Sequence, residues 1–511
     1  MRTDTQQNKK VQGLDKVKPS EIKSPEGSRP EVFHLEYAPA PESTEIVNIK
    51  KKNKLFINGQ FVSPQSGKYF STVSPATGEV IAQLALAQEK DVDLAVKAAR
   101  QAYEKVWSQV SGRDRGRYLY RIARLIQEKS RELAILETID NGKPIRETRD
   151  VDLPLVAAHF FYYAGWADKL AFAFPGKMVS PLGVAAQVIP WNFPLLMAAW
   201  KIAPALATGN TVVLKAAETT SLTALALAEI ICDAGLPDGV VNIITGAGET
   251  GAALVNHGDV NKVAFTGSTE VGKIIARSIA STDKKLTLEL GGKSAHIIFE
   301  DAALDQAVEG VIKGIYFNQG HVCCAGSRLL LEESVANEAV NKLKKRMESI
   351  RVGNPLDKNT DIGAINSKGE LEKIQRLVEI GKSETGEYFE PSSCQLPGRG
   401  YFHKPCFFDK VASSSTLSRV EIFGPVLTIS TFRTVDEAIK KANDTVYGLA
   451  AGIWSEKGSK IHRVASQLKA GVVWANTYNK FDPTSPFGGY NESGFGREGG
   501  RHGLFPYLEV H

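Results

Sequence analysis

From Leu55 onward the apolar positions fall into two periods. A short strand-like run comes first, with Leu55 and Ile57, a turn at Gly59, then Phe61 and Val62. Helical spacing follows. Ala95, Ala98, Ala99, Ala102 and Val106 fall on one face of a first helix, and Leu119, Ile122, Ala123 and Ile126 on one face of a second. A third, around Leu133 to Ile139, stops at Asn141-Gly142 with Pro144 beyond, a chemically sensible C-terminus. All three stripes read as core-facing.

After Gly183 strand and helix alternate with little slack. Apolar runs at Val184–Ile189, Thr211–Leu214, Val240–Ile244, Val263–Phe265 and Leu286–Leu290 are separated by helical patterns, one of them capped by Thr220 or Ser221 and ending at Gly235 and Pro237. Parallel strands need crossovers of that length, so the rhythm predicts βαβ units and a mostly parallel sheet. Such sheets hold ligands at the carboxyl ends of their strands. The turns after Ile189, Leu214, Phe265 and Leu290 are therefore where chemistry is expected. A second alternating region from Ala295 to about Asn476 predicts another α/β domain, and no repeat of about 20–50 residues is present.

Length and composition narrow the class. A chain of 511 residues, 43% apolar and 23% charged, has ample core for roughly two to four domains. A net charge of +5 without an arginine-rich, aromatic-interleaved face argues against nucleic acid. No apolar stretch approaches ~18 residues, so no membrane span is expected. The start lacks an apolar run and carries Asp4, Asp15 and Glu21, unlike a secretory signal or an arginine-rich transit peptide. Five scattered cysteines suit a reducing compartment. These features together predict a cytoplasmic protein. Residues up to about Thr44 mix charge with Ser, Pro and Gln and read as a mobile tail. Lys50-Lys51-Lys52 reads as a solvated charge run.

Two adjacent cysteines, Cys323 and Cys324, lie in Phe317–Gly326 between glycines. Neighbouring cysteines rarely bridge and lack the spacing of a metal knuckle, and no metal site is expected. They leave a buried apolar thiol, a reactive thiol, or one of each. The strand-end turns hold possible partners: Asn192 between aromatics and prolines, Lys215 and Glu218, Gly267–Gly272, and Glu289 before two glycines. Gly267–Gly272 with Ser268 at a helix N-terminus suits a pyrophosphate, and equally makes a plain tight turn. Lys215 and Glu218 suit ribose hydroxyls, the carboxylate disfavouring a 2′-phosphate, or simply pair on the surface. Glu289 suits a general base or a mere sheet-end charge.

Six motifs in order, Pro190–Pro194, Gly267–Gly272, Leu288–Lys293, Gly320–Ala325, Glu421–Pro425 and Pro486–Gly489, resemble the NAD(P)-dependent aldehyde dehydrogenase superfamily from about Leu55 to Leu508. The resemblance implies an α/β fold, with a Rossmann-type cofactor domain (48–167 and 182–290) and an α/β catalytic domain (291–480). It adds a return segment (481–511), a curtailed oligomerisation segment (168–181) and a flexible tail (1–47). It implies Cys323 as nucleophile, with Cys324 a structural neighbour, and Asn192 with the Cys323 N–H as oxyanion hole. Glu289 matches the base for the deacylating water, and Lys201 and Glu498 the accessory proton-relay pair. Lys215, Glu218 and Ser268 match adenosine-side contacts, and Glu421 and Phe423 nicotinamide-riboside contacts. Ile189, Pro190, Trp191, Gly248, Phe265, Gly267, Gly272, Leu290 and Gly291 complete the implied cofactor set. Phe193, Trp200, Phe481 and Phe487 match a substrate tunnel for apolar aldehydes or a quaternary ammonium, unless they are only core aromatics.

The implied reaction is oxidation of an aldehyde to a carboxylic acid, with NAD preferred to NADP. Glu289 favours hydrolysis over acyl transfer to coenzyme A, whose relatives typically lack this base. The rival readings are that coenzyme A-acylating reaction and a catalytically silent scaffold. His321 departs from the family's glutamine or glutamate and is expected to serve as a hydrogen-bonded scaffold. Asp168–Gly183 is short where the family inserts an oligomerisation hairpin, and relatives usually continue past His511 with another strand. A dimer is therefore expected in preference to a tetramer. Glu36–Ser43 and Asp482–Ser493 are similar to a branch that fuses two such units, of which this chain holds one.

Overall fold

The five runs after Gly183 form strands at Val184–Val188, Thr211–Lys215, Val241–Ile244, Lys262–Thr266 and Lys285–Glu289 in a computed structural model that describes residues 38–384 and 387–511. They pair in parallel and are largely buried on both faces, as unbroken Val/Ile/Leu runs between helices require. In space the order is Lys285–Glu289, Lys262–Thr266, Val184–Val188, Thr211–Lys215, Val241–Ile244. The chain begins in the middle, builds to one side, then crosses back. The switch falls between Val184–Val188 and Lys262–Thr266, and there the carboxyl ends part to leave a crevice. Leu55–Ile57 and Gln60–Val62 close one edge as a hairpin, whose Asn58-Gly59 turn has φ of 52° and 73° at its two centres. Gly494–Phe495 closes the other, antiparallel to Lys285–Glu289.

The second sheet has seven strands in the order Glu387–Phe389, Cys406–Asp409, Val426–Phe432, Arg328–Glu332, Ala295–Ile298, Ala450–Trp454, Val472–Ala475. All of its pairings are parallel except the first. Residues Pro39–His511 form one compact unit. Among the described residues no helix is long and apolar enough to cross a membrane.

The helices follow their stripes with two corrections. Glu89–Lys105 stops one residue before Val106, which leaves the helical period and is exposed instead of buried. Leu222–Asp233 is not capped by the Ser221 or Thr220 side chain. The Ser221 hydroxyl donates to the Ala217 carbonyl (2.7 Å), and Asp140 Oδ2 from another helix accepts the Leu222 N–H (2.9 Å). Gly142, with φ of 91°, ends Ser130–Asn141 as its sequence suggests.

Residues 1–37 of the expected tail lie outside the described residues. Of its described residues, 43–46 are exposed and Glu42 is held in place. Glu42 is buried, accepts from Arg131 Nε (3.0 Å), faces Lys358 (3.1 Å) and donates its N–H to Leu356 O (2.8 Å). The ordered body thus begins before 47, because two cations from distant segments hold a carboxylate that looks solvated in sequence. Within 168–181, Val179–Pro181 pairs antiparallel with Leu508–Val510 as a separate two-stranded sheet.

Candidate active site

The helix Leu304–Ile315 runs into a tight turn, Phe317–Gly320, in which Asn318, Gln319 and Gly320 all have positive φ (48°, 54° and 77°). Gly320 is required there, since a Cβ would lie 2.1 Å from Gly424 O. The other two positions are strained and persist through tertiary bonds. Asn318 Nδ2 donates to Asn192 O (2.8 Å), and its N–H to Glu147 Oε2 (3.0 Å). Gln319 Nε2 donates to Ala364 O (3.1 Å), and its Oε1 accepts from Gly363 N (3.2 Å). This turn sorts the two thiols. Cys323 is half-buried and lines a cleft, whereas Cys324, which borders the same cleft, is fully buried. The Cys324 thiol meets Asn479 Oδ1 (3.7 Å), and its carbonyl accepts from the Tyr478 hydroxyl (2.9 Å). Cys324 and burial push the Cys323 thiol well above its ordinary range, so thiolate forms only when a base takes the proton.

Asn192 lies four residues past Val184–Val188, just before the helix Pro194–Ala207, and its Nδ2 donates to the His321 carbonyl (2.8 Å). Glu289 ends its strand, buried, and neither carboxyl oxygen has a hydrogen-bond partner. Burial and the nearby Glu498 carboxylate hold its pKa well above the carboxylate range. A Cβ on Gly488 would stand 2.7 Å from Glu289 Oε1, so that glycine leaves the carboxylate its room. Lys201, fully buried, is hydrogen-bonded to Glu498. Cys323, Asn192, Glu289 and Glu498 line one cleft, with Lys201 behind it.

The same cleft reaches the switch point. Pro190, Trp191, Gly267, Ser268, Leu290 and Gly291 line it, as do Glu421 and Phe423 from the other sheet. Ser268 Oγ accepts from Val271 N (3.3 Å) and caps the helix Thr269–Ser278. Lys215 Nζ donates to Glu218 Oε1 (2.9 Å), and Gly248 opens the helix Gly248–Asn256, whose Gly251 faces the Lys215 stem. Ile189, Lys215, Glu218, Gly248, Phe265 and Gly272 border this region without lining the cleft. Phe265 and Gly272 act from below: a Cβ on Gly267 would meet the Phe265 ring at 2.5 Å, and one on Gly272 would meet Leu290 at 2.5 Å. Glu421 Oε1 accepts from Gly292 N (3.0 Å), and burial raises its pKa to about 7. Phe423, at φ 58°, sets its ring edge-on to Trp191 (5.2 Å, 84°). A crevice at the switch point, walled by backbone too close for side chains, with a capped helix N-terminus and a lysine–glutamate pair at its far end, fits a dinucleotide.

The apolar end holds Trp200 against Phe487 (5.3 Å) and Phe481 (6.5 Å), with Phe193 stacked on Phe317 (6.1 Å). Leu196 and Met197 belong to the same wall and were missed. Their spacing from Phe193 and Trp200, i, i+3, i+4, i+7, was the available signal. Glu370 and Lys373 were also missed; they come from the start of the helix Lys368–Glu384, which carries no strand-end motif. The His321 ring is not hydrogen-bonded, contrary to expectation. It is fully buried between Trp191 (4.8 Å, edge-on) and Phe423 (5.8 Å, stacked), and both ring nitrogens lack a partner. Its backbone, not its ring, makes the polar contacts: the N–H donates to Asn318 O (2.8 Å) and the carbonyl accepts from Asn192 and Asn318.

A cysteine, a carboxylate and an amide around a cleft at the switch point of a doubly wound sheet define an α/β enzyme of covalent, dinucleotide-linked chemistry. The chain belongs to the aldehyde dehydrogenase family, whose model matches residues 61–511. It is 46% identical over 474 residues to the mitochondrial aldehyde dehydrogenase of Homo sapiens, covering 90% of this chain and 91% of that protein. It is 47% identical over 468 residues to aldehyde dehydrogenase family 2 member B4, mitochondrial, of Arabidopsis thaliana (89% and 87%). An NAD+ complex of an aldehyde dehydrogenase from Bacillus cereus superposes with a TM-score of 0.87 at 43% identity (91% and 98%).

Proposed function

We propose that this enzyme oxidises an apolar aldehyde to its carboxylic acid with NAD+, through a thioester on Cys323 that water hydrolyses. The observation that carries the reading is the convergence of Cys323, Asn192 and Glu289 on one cleft. The Cys323 thiolate attacks the carbonyl carbon, and the oxyanion is met by the Asn192 amide and the Cys323 N–H, a contribution of about 3–4 kcal/mol. Glu421 and Phe423 would hold the nicotinamide end of NAD+, which would supply the hydride acceptor needed for the Cys323 adduct to become an acyl thioester. Glu289, once ionised, draws a proton from water as the water attacks the thioester carbon, and the Cys323 thiolate leaves. Lys201 and Glu498 pass that proton onward from Glu289.

Glu218 beside Lys215 repels a 2′-phosphate, which favours NAD+ over NADP+. The aromatic wall favours an apolar chain, and a quaternary ammonium is the alternative occupant. The short 168–181 segment favours a dimer; a mass of four copies by light scattering overturns this. The five free thiols suit the cytoplasm; a tagged full chain found in another compartment overturns that.

The test is an aldehyde panel with NAD+ and NADP+, followed at the NADH absorbance band. Turnover with NAD+ that disappears in Cys323→Ser is expected. NAD+ binding without turnover of any aldehyde, or turnover that requires coenzyme A, overturns the reading.

A further inference from the structure

We propose that Glu147, within a buried cluster with Glu137, Lys143 and Asp152, is a positioning residue for the oxyanion hole, acting through Asn318. The inference rests on the reading of Asn192 as the oxyanion donor.

The cluster lies behind the site, in a stretch whose sequence announces only a helix end at Asn141-Gly142-Pro144. All four side chains are buried. Lys143 Nζ pairs with Asp152 Oδ2 (2.6 Å) and stands 3.9 Å from the centre of the Phe193 ring. The two glutamates reach the two arms of the site. Glu137 Oε2 accepts from Leu195 N (3.2 Å), in the first turn of the helix that follows Asn192. Glu147 Oε2 accepts from Asn318 N (3.0 Å), in the turn that presents Cys323. Asn318 then joins the arms, since its Nδ2 donates to Asn192 O (2.8 Å) and to His321 O (3.3 Å). Glu147 is thus two hydrogen bonds from the Asn192 backbone and one from a strained residue, Asn318 at φ 48°. Removing the acceptor would leave the Asn318 N–H buried and unpaired at a position already costly to hold. The turn would relax, and the Asn192 amide and Cys323 N–H would lose their common aim.

The electrostatics agree. Burial pushes Glu147 up to about 8 and Glu137 to about 7. The charged groups facing Glu147 are Lys143 and Asp152, with Arg146 beside it turned to Asp361 (2.7 Å). From the nucleophile turn it receives only the Asn318 N–H, while the His321 ring beyond is held neutral by burial and Lys143. Lys143 is matched by Asp152 and Arg146 is turned to Asp361, so burial outweighs the pull of these cations on Glu147. Glu147 is therefore the neutral acid at neutral pH and ionises above about 8.

Hydrolysis of p-nitrophenyl acetate without cofactor tests the proposal. It uses thiol attack, oxyanion and deacylation but no hydride acceptor, and Asn192→Ala serves as the control for the underlying reading. Glu147→Leu is expected to lower kcat roughly tenfold with KM within about twofold, the mark of a contact that matters in the transition state. Glu147→Gln keeps an acceptor for Asn318 and should match the wild type at neutral pH. A wild-type kcat in Glu147→Leu, with Asn192→Ala slowed, overturns the proposal. An unslowed Asn192→Ala overturns the oxyanion reading instead. Should Glu147→Leu not fold, a kcat for Glu147→Gln lowered as far as that of Asn192→Ala overturns the proposal, since the amide keeps the acceptor for Asn318.

Discussion

On the proposed mechanism Glu289 and Cys323 are both held toward the form that must lose a proton to act, Glu289 first by burial and Cys323 first by its contact with Cys324. Burial and Glu498 favour the protonated Glu289 carboxyl, and burial with Cys324 favours the Cys323 thiol. Since the active forms are the ionised ones and both pKa values are raised, kcat should climb as pH rises. Glu289→Gln separates the two steps. It should retain a stoichiometric burst of NADH while steady turnover drops about a hundredfold or more, and the climb of kcat with pH should flatten. Loss of the burst along with turnover would assign Glu289 to acylation rather than hydrolysis. The choice of Cys323 over Cys324 was legible from spacing within a resemblance. Its physical basis, one thiol facing a cleft and its neighbour packed against Asn479 and Tyr478, was not.

At the scale of elements, the site depends on a turn that no periodicity describes. Asn318, Gln319 and Gly320 hold three consecutive left-handed conformations, and only the last is a glycine. Gly320→Ala must move the Gly424 backbone, 2.1 Å from the new Cβ. It should cost about 2–4 kcal/mol, seen as a lower Tm, together with lost activity. An alanine variant of unchanged Tm would mean the turn yields freely. The cap of Leu222–Asp233 makes the same point. Sequence offers Ser221 and Thr220, yet Asp140, 82 positions away, accepts the Leu222 N–H. Local propensity proposes a cap, and whichever acceptor tertiary packing brings nearest satisfies the donor.

Across the whole molecule, the second helical region behind the site stores protons. Burial raises Glu137 and Asp140 to about 7 and Glu147 to about 8. The folded state then holds protons that the unfolded chain releases near 4.5 for glutamate or 3.8 for aspartate. The stability these groups lend is complete below those values and is lost as pH rises through 7 to 8. Tm should accordingly fall between about pH 5 and pH 8. The slope should be shallower in Asp140→Asn, whose amide still accepts from Leu222. An equal slope in that variant would exclude Asp140 as a source.

The sequence alone determined the alternation of elements, the parallel sheet and the turns that matter, because burial period and crossover length are local properties of the chain. It also marked Cys323, Asn192 and Glu289, each beside glycine, proline or a strand end. The tertiary structure decided what depends on partners distant in sequence. It docked Glu42 between Arg131 and Lys358, left the His321 ring among aromatics without a hydrogen bond, and brought Glu370 and Lys373 to the cleft. It also set a fully buried Lys143–Asp152 pair beside Phe193, in a segment that reads as an ordinary helix end. Buried charge is invisible in a single sequence, since its cost depends on how many counter-charges and donors the fold gathers around it.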